Sequence, residues 1–340
     1  MTQDNNQKPI SPHKSVAQTT RLARLKGILK PLLNRLRILP PKILGRLLPY
    51  PVGARLLERL CRTRWVQLSL FRRQLNLLHQ GIAALNLTPG AKHIIQHSLR
   101  ANFLRFYRLA ALAYCPSERI NQWLQVEGLE LLQDAHRQGK GVIILNSHTT
   151  LAHILSLALS RNGFNELLTV GDDAMKLDLL GMQEVNPASA TVGAPKIMYF
   201  LRQLQEAKRI LKQGGVVQVA ADGSYGASIV EAPFFGHRRP FRTGFAELSA
   251  TTGAVSLPAI VTIMPGGVVR VVFHAPFLDN PPESGQRAQV AALMSQYIDF
   301  NRRLWSSQLG DLKWRQIQRF LDLPLLDSEA SAAEKTDHTS

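Results

Sequence analysis

Four short apolar runs constrain the fold of this 340-residue chain more than any other feature. They are Val142-Ile143-Ile144-Leu145, Val216-Val217-Gln218-Val219-Ala220, and the segments 254–264 and 268–273. Each is rich in β-branched residues, and glycine or polar residues punctuate them. Such runs lack a polar face, so they read as strands of a sheet covered on both sides. Helix-length stretches fill the intervals: 118–138 contains a helix ending near Gly139, 150–161 another, 197–213 one closed by Gly214-Gly215, and 241–253 one more. Residues 67–112 have apolar positions in every helical turn, and 287–305 and 311–321 close the chain as helices. Strands alternating with helices predict an α/β fold with a largely parallel sheet flanked by helices.

The charge is uneven. Of 41 Lys+Arg and 24 Asp+Glu, residues 1–80 hold 16 basic and only 2 acidic side chains, so most of the formal +17 lies there. Within this stretch Leu22, Leu25, Leu29, Leu32, Leu36 and Leu39 recur at helical spacing, with Arg21, Arg24, Lys26, Lys30, Arg35 and Arg37 on the other faces. Pro31 kinks or restarts the helix, Pro40-Pro41 ends it, and a second basic amphipathic stretch follows at 42–64, interrupted by Pro49 and Pro51. Leucine faces edged with cations suit an anionic membrane surface, where the apolar side enters the acyl boundary and the cations meet phosphates. Few aromatic residues interleave for base stacking, so nucleic acid is not the expected partner. Residues 16–66 are thus expected as a membrane-docking segment ahead of a domain at 67–326, with 1–15 and 327–340 disordered. No signal peptide and no transmembrane run is apparent. Cys61 and Cys115 form neither a disulfide framework nor a metal knuckle, which fits a reducing compartment.

Chemistry gathers where strands end. Asn146-Ser147-His148 follows the first run, and a histidine there is placed to act as a general base near neutral pH. Ala221-Asp222-Gly223-Ser224-Tyr225-Gly226 follows the second run, and Ser224 and Tyr225 are candidates for the acceptor site. The block Pro233-Phe234-Phe235-Gly236 precedes Arg238, Arg239 and Arg242, three guanidinium groups suited to a lipid or phosphopantetheine phosphate. Pro258 sits inside the third run.

In this order the blocks resemble the lipid A biosynthesis acyltransferases, within the lysophospholipid acyltransferase superfamily. The resemblance covers about 70–320. It runs from Arg72-Arg73-Gln74-Leu75-Asn76-Leu77 through Val126-Glu127-Gly128, the His148 strand and the Asp222 turn. It continues through the Phe-Phe-Gly block to Thr243-Gly244-Phe245-Ala246-Glu247-Leu248, and closes on Leu312-Lys313-Trp314-Arg315-Gln316-Ile317-Gln318-Arg319-Phe320. It implies a glycerolipid acyltransferase-like fold and peripheral residence on the cytoplasmic face of the bacterial inner membrane. It also implies transfer of a fatty acyl group from acyl carrier protein or coenzyme A to a hydroxyl, or less readily an amine, of a lipid-like acceptor. No metal and no other cofactor is implied. His148 is then the base.

The family pattern places an acid five residues after that histidine, but here the position holds His153. A neutral imidazole can orient His148 yet cannot offset the charge of an imidazolium. Three accounts stay open. A carboxylate from elsewhere replaces the acid, with Asp172, Asp173, Asp178, Glu184 and Asp222 available and Asp222 preferred because it too follows a strand. Alternatively His153 partners His148 directly. Or the chain is a catalytically silent relative that binds lipid or acyl carrier. The spacing of His148 and His153 is not that of a helical zinc pair, and no further ligand is apparent.

Overall fold

The computed structural model of the chain describes residues 39–164, 167–170, 196–223, 226, 228–278 and 285–326. The leucine-rich stretch before residue 39, the tail from 327, Ser224, Tyr225, Asp172, Asp173, Asp178 and Glu184 all lie outside the described residues.

Six strands form one sheet: β1 (Leu124–Glu127), β2 (Val142–Asn146), β3 (Leu167–Val170), β4 (Val216–Ala220), β7 (Val255–Ile263) and β8 (Val269–Phe273). Their spatial order is β1-β8-β7-β2-β4-β3. The pairs β1–β8, β7–β2, β2–β4 and β4–β3 are parallel, and only β7–β8 is antiparallel. The sheet is therefore largely parallel, as its apolar runs require. All five residues of the interior strand β2 are buried, which is why that run has no polar face. One apolar layer packs under Ile144, Leu257 and Val271, and the other under Ile143, Leu145 and Val217.

Helices cover both faces. α1 (Tyr50–Arg62), α2 (Arg64–Ala84), α3 (Ala91–Phe103) and α4 (Arg105–Ala113) precede the sheet. α5 (Leu129–Arg137), α6 (Ile154–Arg161), α7 (Lys196–Lys212), α8 (Gly244–Thr252), α9 (Gly285–Gln308) and α10 (Trp314–Leu321) follow in the chain. The expected helical stretch 67–112 thus contains breaks, at 85–90 and at Leu104. α8 begins at Gly244 rather than at 241, because Phe241 still belongs to a strand.

That strand is part of a hairpin that the apolar pattern does not reveal. β5 (Ile229–Phe234) and β6 (His237–Arg242) pair antiparallel, with Phe234 opposite His237. The two residues between them, Phe235 and Gly236, have φ of 49° and 76°, the left-handed pair of a tight hairpin whose twist matches its strands. The Phe-Phe-Gly block is therefore the tip of this hairpin. Phe234 is buried under it against Phe241, Trp305 and Phe320.

The described part of the basic segment is not detached from this body. Tyr50 and Ala54 belong to the same core as β7 and β8, and the Tyr50 hydroxyl donates to the Gly267 carbonyl. The buried guanidinium of Arg108 meets Glu58 at 3.1 Å, tying α4 to α1. Gly53 lets α1 approach α4 closely, since a Cβ there would fall 2.0 Å from the Tyr107 hydroxyl oxygen. That hydroxyl is itself held among the Leu48, Pro49 and Tyr50 carbonyls. Gly53→Ala should therefore overpack the contact and destabilise the protein by about 1–3 kcal/mol. Thermal unfolding checks this, and an unchanged midpoint would show that α1 docks more loosely than this contact implies.

Candidate active site

The site begins with a register. In the parallel pair β2–β4, Asn146 lies opposite Ala220. His148 and Asp222 each stand two residues beyond that pair, so both chains leave the sheet at one edge with these side chains as neighbours. The Ala221 N–H donates to the Asn146 carbonyl at 3.1 Å, which extends the alignment by one step past the strands.

Asp222 meets His148 twice. The His148 backbone N–H donates to Oδ2 at 2.8 Å, and ring Nδ1 lies 2.6 Å from Oδ1. With Asp222 ionised, Nδ1 carries the proton and donates it, which leaves Nε2 as the basic nitrogen. The Asp222 side chain is wholly buried, whereas that of His148 is 31% exposed. The carboxylate is therefore sequestered while the imidazole meets the surface. Burial works to raise the Asp222 pKa, but the charge of His148, its two hydrogen bonds and the charge of Arg239 prevail and hold the carboxyl below its usual range.

A strap from the end of the chain fixes the loop that carries His148. The Lys313 N–H donates to the His148 carbonyl at 3.0 Å, and Thr149 bridges Leu312. The Asp311 carbonyl accepts from Thr150 twice, from its N–H at 2.7 Å and its hydroxyl at 3.0 Å. The Asp311 carboxylate in turn meets His97 Nε2 at 2.7 Å and accepts from the Thr262 hydroxyl at 2.8 Å. One aspartate thus joins α3, β7 and the histidine loop. Sequence reading singles out neither it nor its partners, because no spacing connects residues 97, 150, 262 and 311.

The other candidates separate. His153 is buried and is the residue immediately before α6. The ring nitrogen of His148 that faces an acid is engaged by Asp222, not by His153. The three arginines do not form one set, because side chains alternate along β6. Arg239 is buried and turned inward with His237 and Phe241, while Arg238 and Arg242 are only partly covered. A surface phosphate grip by Arg239 is at odds with that burial. Arg242 donates to the Gly226 carbonyl at 2.8 Å, in the turn after Asp222. Arg238, about 13 Å further along the strand, meets Glu231 near the hairpin tip. Among the described residues no group of three or more His, Cys, Asp or Glu side chains is placed to hold a metal ion.

The model of one family, bacterial lipid A biosynthesis acyltransferase, matches residues 89–301. The match includes β2, β4, both members of the His–Asp pair and the hairpin, and it stops before the strap. No curated protein matches the chain.

The lowered Asp222 pKa has a consequence for stability. A depressed carboxyl favours the folded state above the ordinary aspartate value of about 4 and loses that contribution as pH falls through its folded value. Asp222→Asn lacks the term. Its deficit relative to wild type in chemical unfolding should be largest above about pH 5 and shrink on acidification. A deficit independent of pH would contradict the ionised assignment.

Proposed function

The chain belongs to the bacterial lipid A biosynthesis acyltransferase family, and from this premise we propose that His148 and Asp222 form its catalytic dyad. Membership makes it an acyltransferase of lipid-like substrates, a chemistry that needs no cofactor beyond the acyl donor. In the reading proposed here, Nε2 of neutral His148 takes the proton from an acceptor hydroxyl. The oxygen attacks the thioester carbonyl of an acyl carrier protein or coenzyme A donor. The tetrahedral intermediate collapses, the C–S bond breaks, and the departing thiolate receives the proton back from the imidazolium. Asp222 orients the ring through Nδ1 and stabilises the transient cation.

The observation that carries this reading is the 2.6 Å contact between Nδ1 and Oδ1, reinforced by the backbone bond to the same carboxylate. In this reading the role that the family pattern assigns to the position of His153 falls to Asp222, just past the end of the neighbouring strand β4. Arg242, beside the turn after Asp222, is the arginine best placed to meet an anionic group of donor or acceptor.

The test is transfer of labelled acyl groups from both donors to a mixed membrane lipid extract. His148→Ala should lose about 10²–10⁴ of the rate. Asp222→Asn should lose a comparable factor, about 10⁴ for the acid of a serine-protease triad. His153→Glu should give no gain, because Nδ1 already has its acid. A wild type that is silent on every donor while His153→Glu transfers label would instead mark a disarmed relative.

We also assign the basic helices to an anionic membrane surface. No helix among the described residues is long and apolar enough to cross a membrane. Yet Leu39, Ile43 and Leu47 stand outward on the helical residues 39–47, and Val52, Leu56 and Leu60 on α1, each set spaced by four. Trp65, 77% exposed, and Leu68 continue the apolar surface. Arg46, Arg55, Arg59, Arg62 and Arg64 are exposed beside it, and Glu58, the acid among these residues, is paired with Arg108. Apolar stripes with cationic borders suit peripheral docking on anionic lipid, and the free thiols Cys61 and Cys115 suit the cytoplasmic face. Leu56→Glu with Trp65→Glu should abolish sedimentation with phosphatidylglycerol vesicles while leaving the thermal midpoint near wild type. Unchanged sedimentation would overturn the assignment.

A further inference from the structure

A buried arginine, Arg239, stands in the core with no anion bonded to it among the described residues. The Arg239 guanidinium carbon lies 4.4 Å from the ring centre of Phe234, 4.8 Å from that of Phe241 and 4.9 Å from that of Trp305. Its Nη1 is buried without a hydrogen-bond partner. No carboxylate lies within ion-pair distance of it among the described residues. Aromatic faces attract a cation, but three rings do not replace the solvation that a buried charge gives up. A compensating anion is required nearby.

The described residues offer two buried carboxylates, Asp222 and Asp311. Asp311 sits in the clasp with His97 and Thr262, and the charges that act on Arg239 are those of Asp222 and Tyr297. Asp222 is different. Ala221, the residue before it, packs in the same core as Phe234, Phe241 and Trp305. Tyr297 of α9 reaches the same place, with its ring 6.2 Å from that of Phe241. We propose that Arg239 is a positioning residue of the dyad, a buried counter-cation that keeps the Asp222 carboxylate seated against His148 without bonding to it.

The inference rests on the dyad reading and adds a third member to it. A general base takes up a proton only from its neutral form, and a neutral imidazole can donate to Asp222 without balancing its charge. A guanidinium in direct contact would compete for the oxygens that His148 uses, since arginine binds carboxylates in a two-pronged fork. Held among aromatic rings, Arg239 supplies charge over distance and leaves Oδ1 and Oδ2 to the histidine. The mutual effects agree in direction: beyond burial, which raises the Asp222 pKa, and His148, which lowers it more strongly, Arg239 adds a further lowering, and Asp222 works to raise the pKa of Arg239 against the dominant effect of burial. The other titratable groups near Arg239 do not supply the anion. The Tyr297 hydroxyl has its pKa pushed far up by burial and stays neutral. His237 directs Nδ1 to the Leu323 carbonyl and packs its ring on Phe320.

The test compares Arg239→Met, which keeps length and removes charge, with Arg239→Lys, which keeps charge. Asp222 is followed by the ¹³C signal of its carboxyl in the full-length protein, identified by its loss in Asp222→Asn. In the Met variant Asp222 should titrate about one pH unit or more above wild type, while the Lys variant stays near wild type. In acyl transfer the Met variant should lose kcat with little change in KM. An Asp222 titration that is the same in the Met variant and wild type overturns the proposal. So do equal displacements in Met and Lys, which would mark a packing role. If the Met variant does not fold, Arg239→Gln replaces it. The carboxyl titration needs no turnover, so failure of the acyltransferase reading and failure of this proposal remain distinguishable.

Discussion

The parallel pairing of β2 with β4 is the constraint on which the site depends. Asn146 and Ala220 lie opposite one another, and a parallel register carries both chains off the same edge at the same level. Two residues later that alignment puts an imidazole against a carboxylate. A slip of one residue would invert the faces of β4. Val217 would then lose its place in the core, and Asp222 would turn away from His148. The hydrophobic register that folds the sheet is therefore also what aligns the pair, and the packing of Ile143, Leu145 and Val217 reaches directly into the chemistry.

Depth then separates the roles of the two side chains. Asp222 is enclosed and His148 is partly open, so the carboxylate exchanges solvent for one histidine, and in the proposed mechanism the second ring nitrogen of that histidine serves the substrate. A buried carboxylate persists as an anion only when bonded or balanced. Its bonds come from His148. The strap through Asp311 and Lys313 holds the backbone of the histidine loop from the other side. The loop is thereby fixed by sheet register, by the carboxylate, and by a segment more than 150 residues later in the chain.

Much of the fold is legible in the sequence because β2, β4, β7 and β8 are continuous apolar runs. β3 is not, since its four residues fall within an interval that carries no other strand signal. The β5–β6 hairpin hides for a different reason. Its strands contain Glu231, Pro233, Arg238, Arg239, Pro240 and Arg242, residues that read as loop, and its stability comes from one aromatic face, the left-handed turn at Phe235-Gly236, and the closing segment at Leu325. Missing the strand also misplaces its arginines. As a loop, Arg238, Arg239 and Arg242 look like one cationic cluster. With a period of two they divide between surface and core. Asp222 is visible as a candidate because strand ends are where site residues collect, but its two bonds to His148 depend on a register that no local pattern specifies. The clasp of His97, Thr150, Thr262 and Asp311 is wholly tertiary and leaves no sequence trace.

The substitution at position 153 is easier to understand once these constraints are combined. An acid five residues after the histidine is positioned by the local turn that joins strand to helix. An acid just past the adjacent strand is positioned by the register of the sheet, whose interior strand β2 is buried throughout. Nδ1 of His148 accommodates one partner, and Asp222 takes it together with the backbone N–H. In the proposed dyad, position 153 is released from charge stabilisation; His153 occupies the buried entry to α6. A second carboxylate there would add a buried negative charge without a vacant donor on the ring, raising the cost of keeping both acids ionised. A histidine at 153 is therefore compatible with the proposed dyad, in which Asp222 supplies across the β2–β4 pair the charge that an acid at 153 would supply.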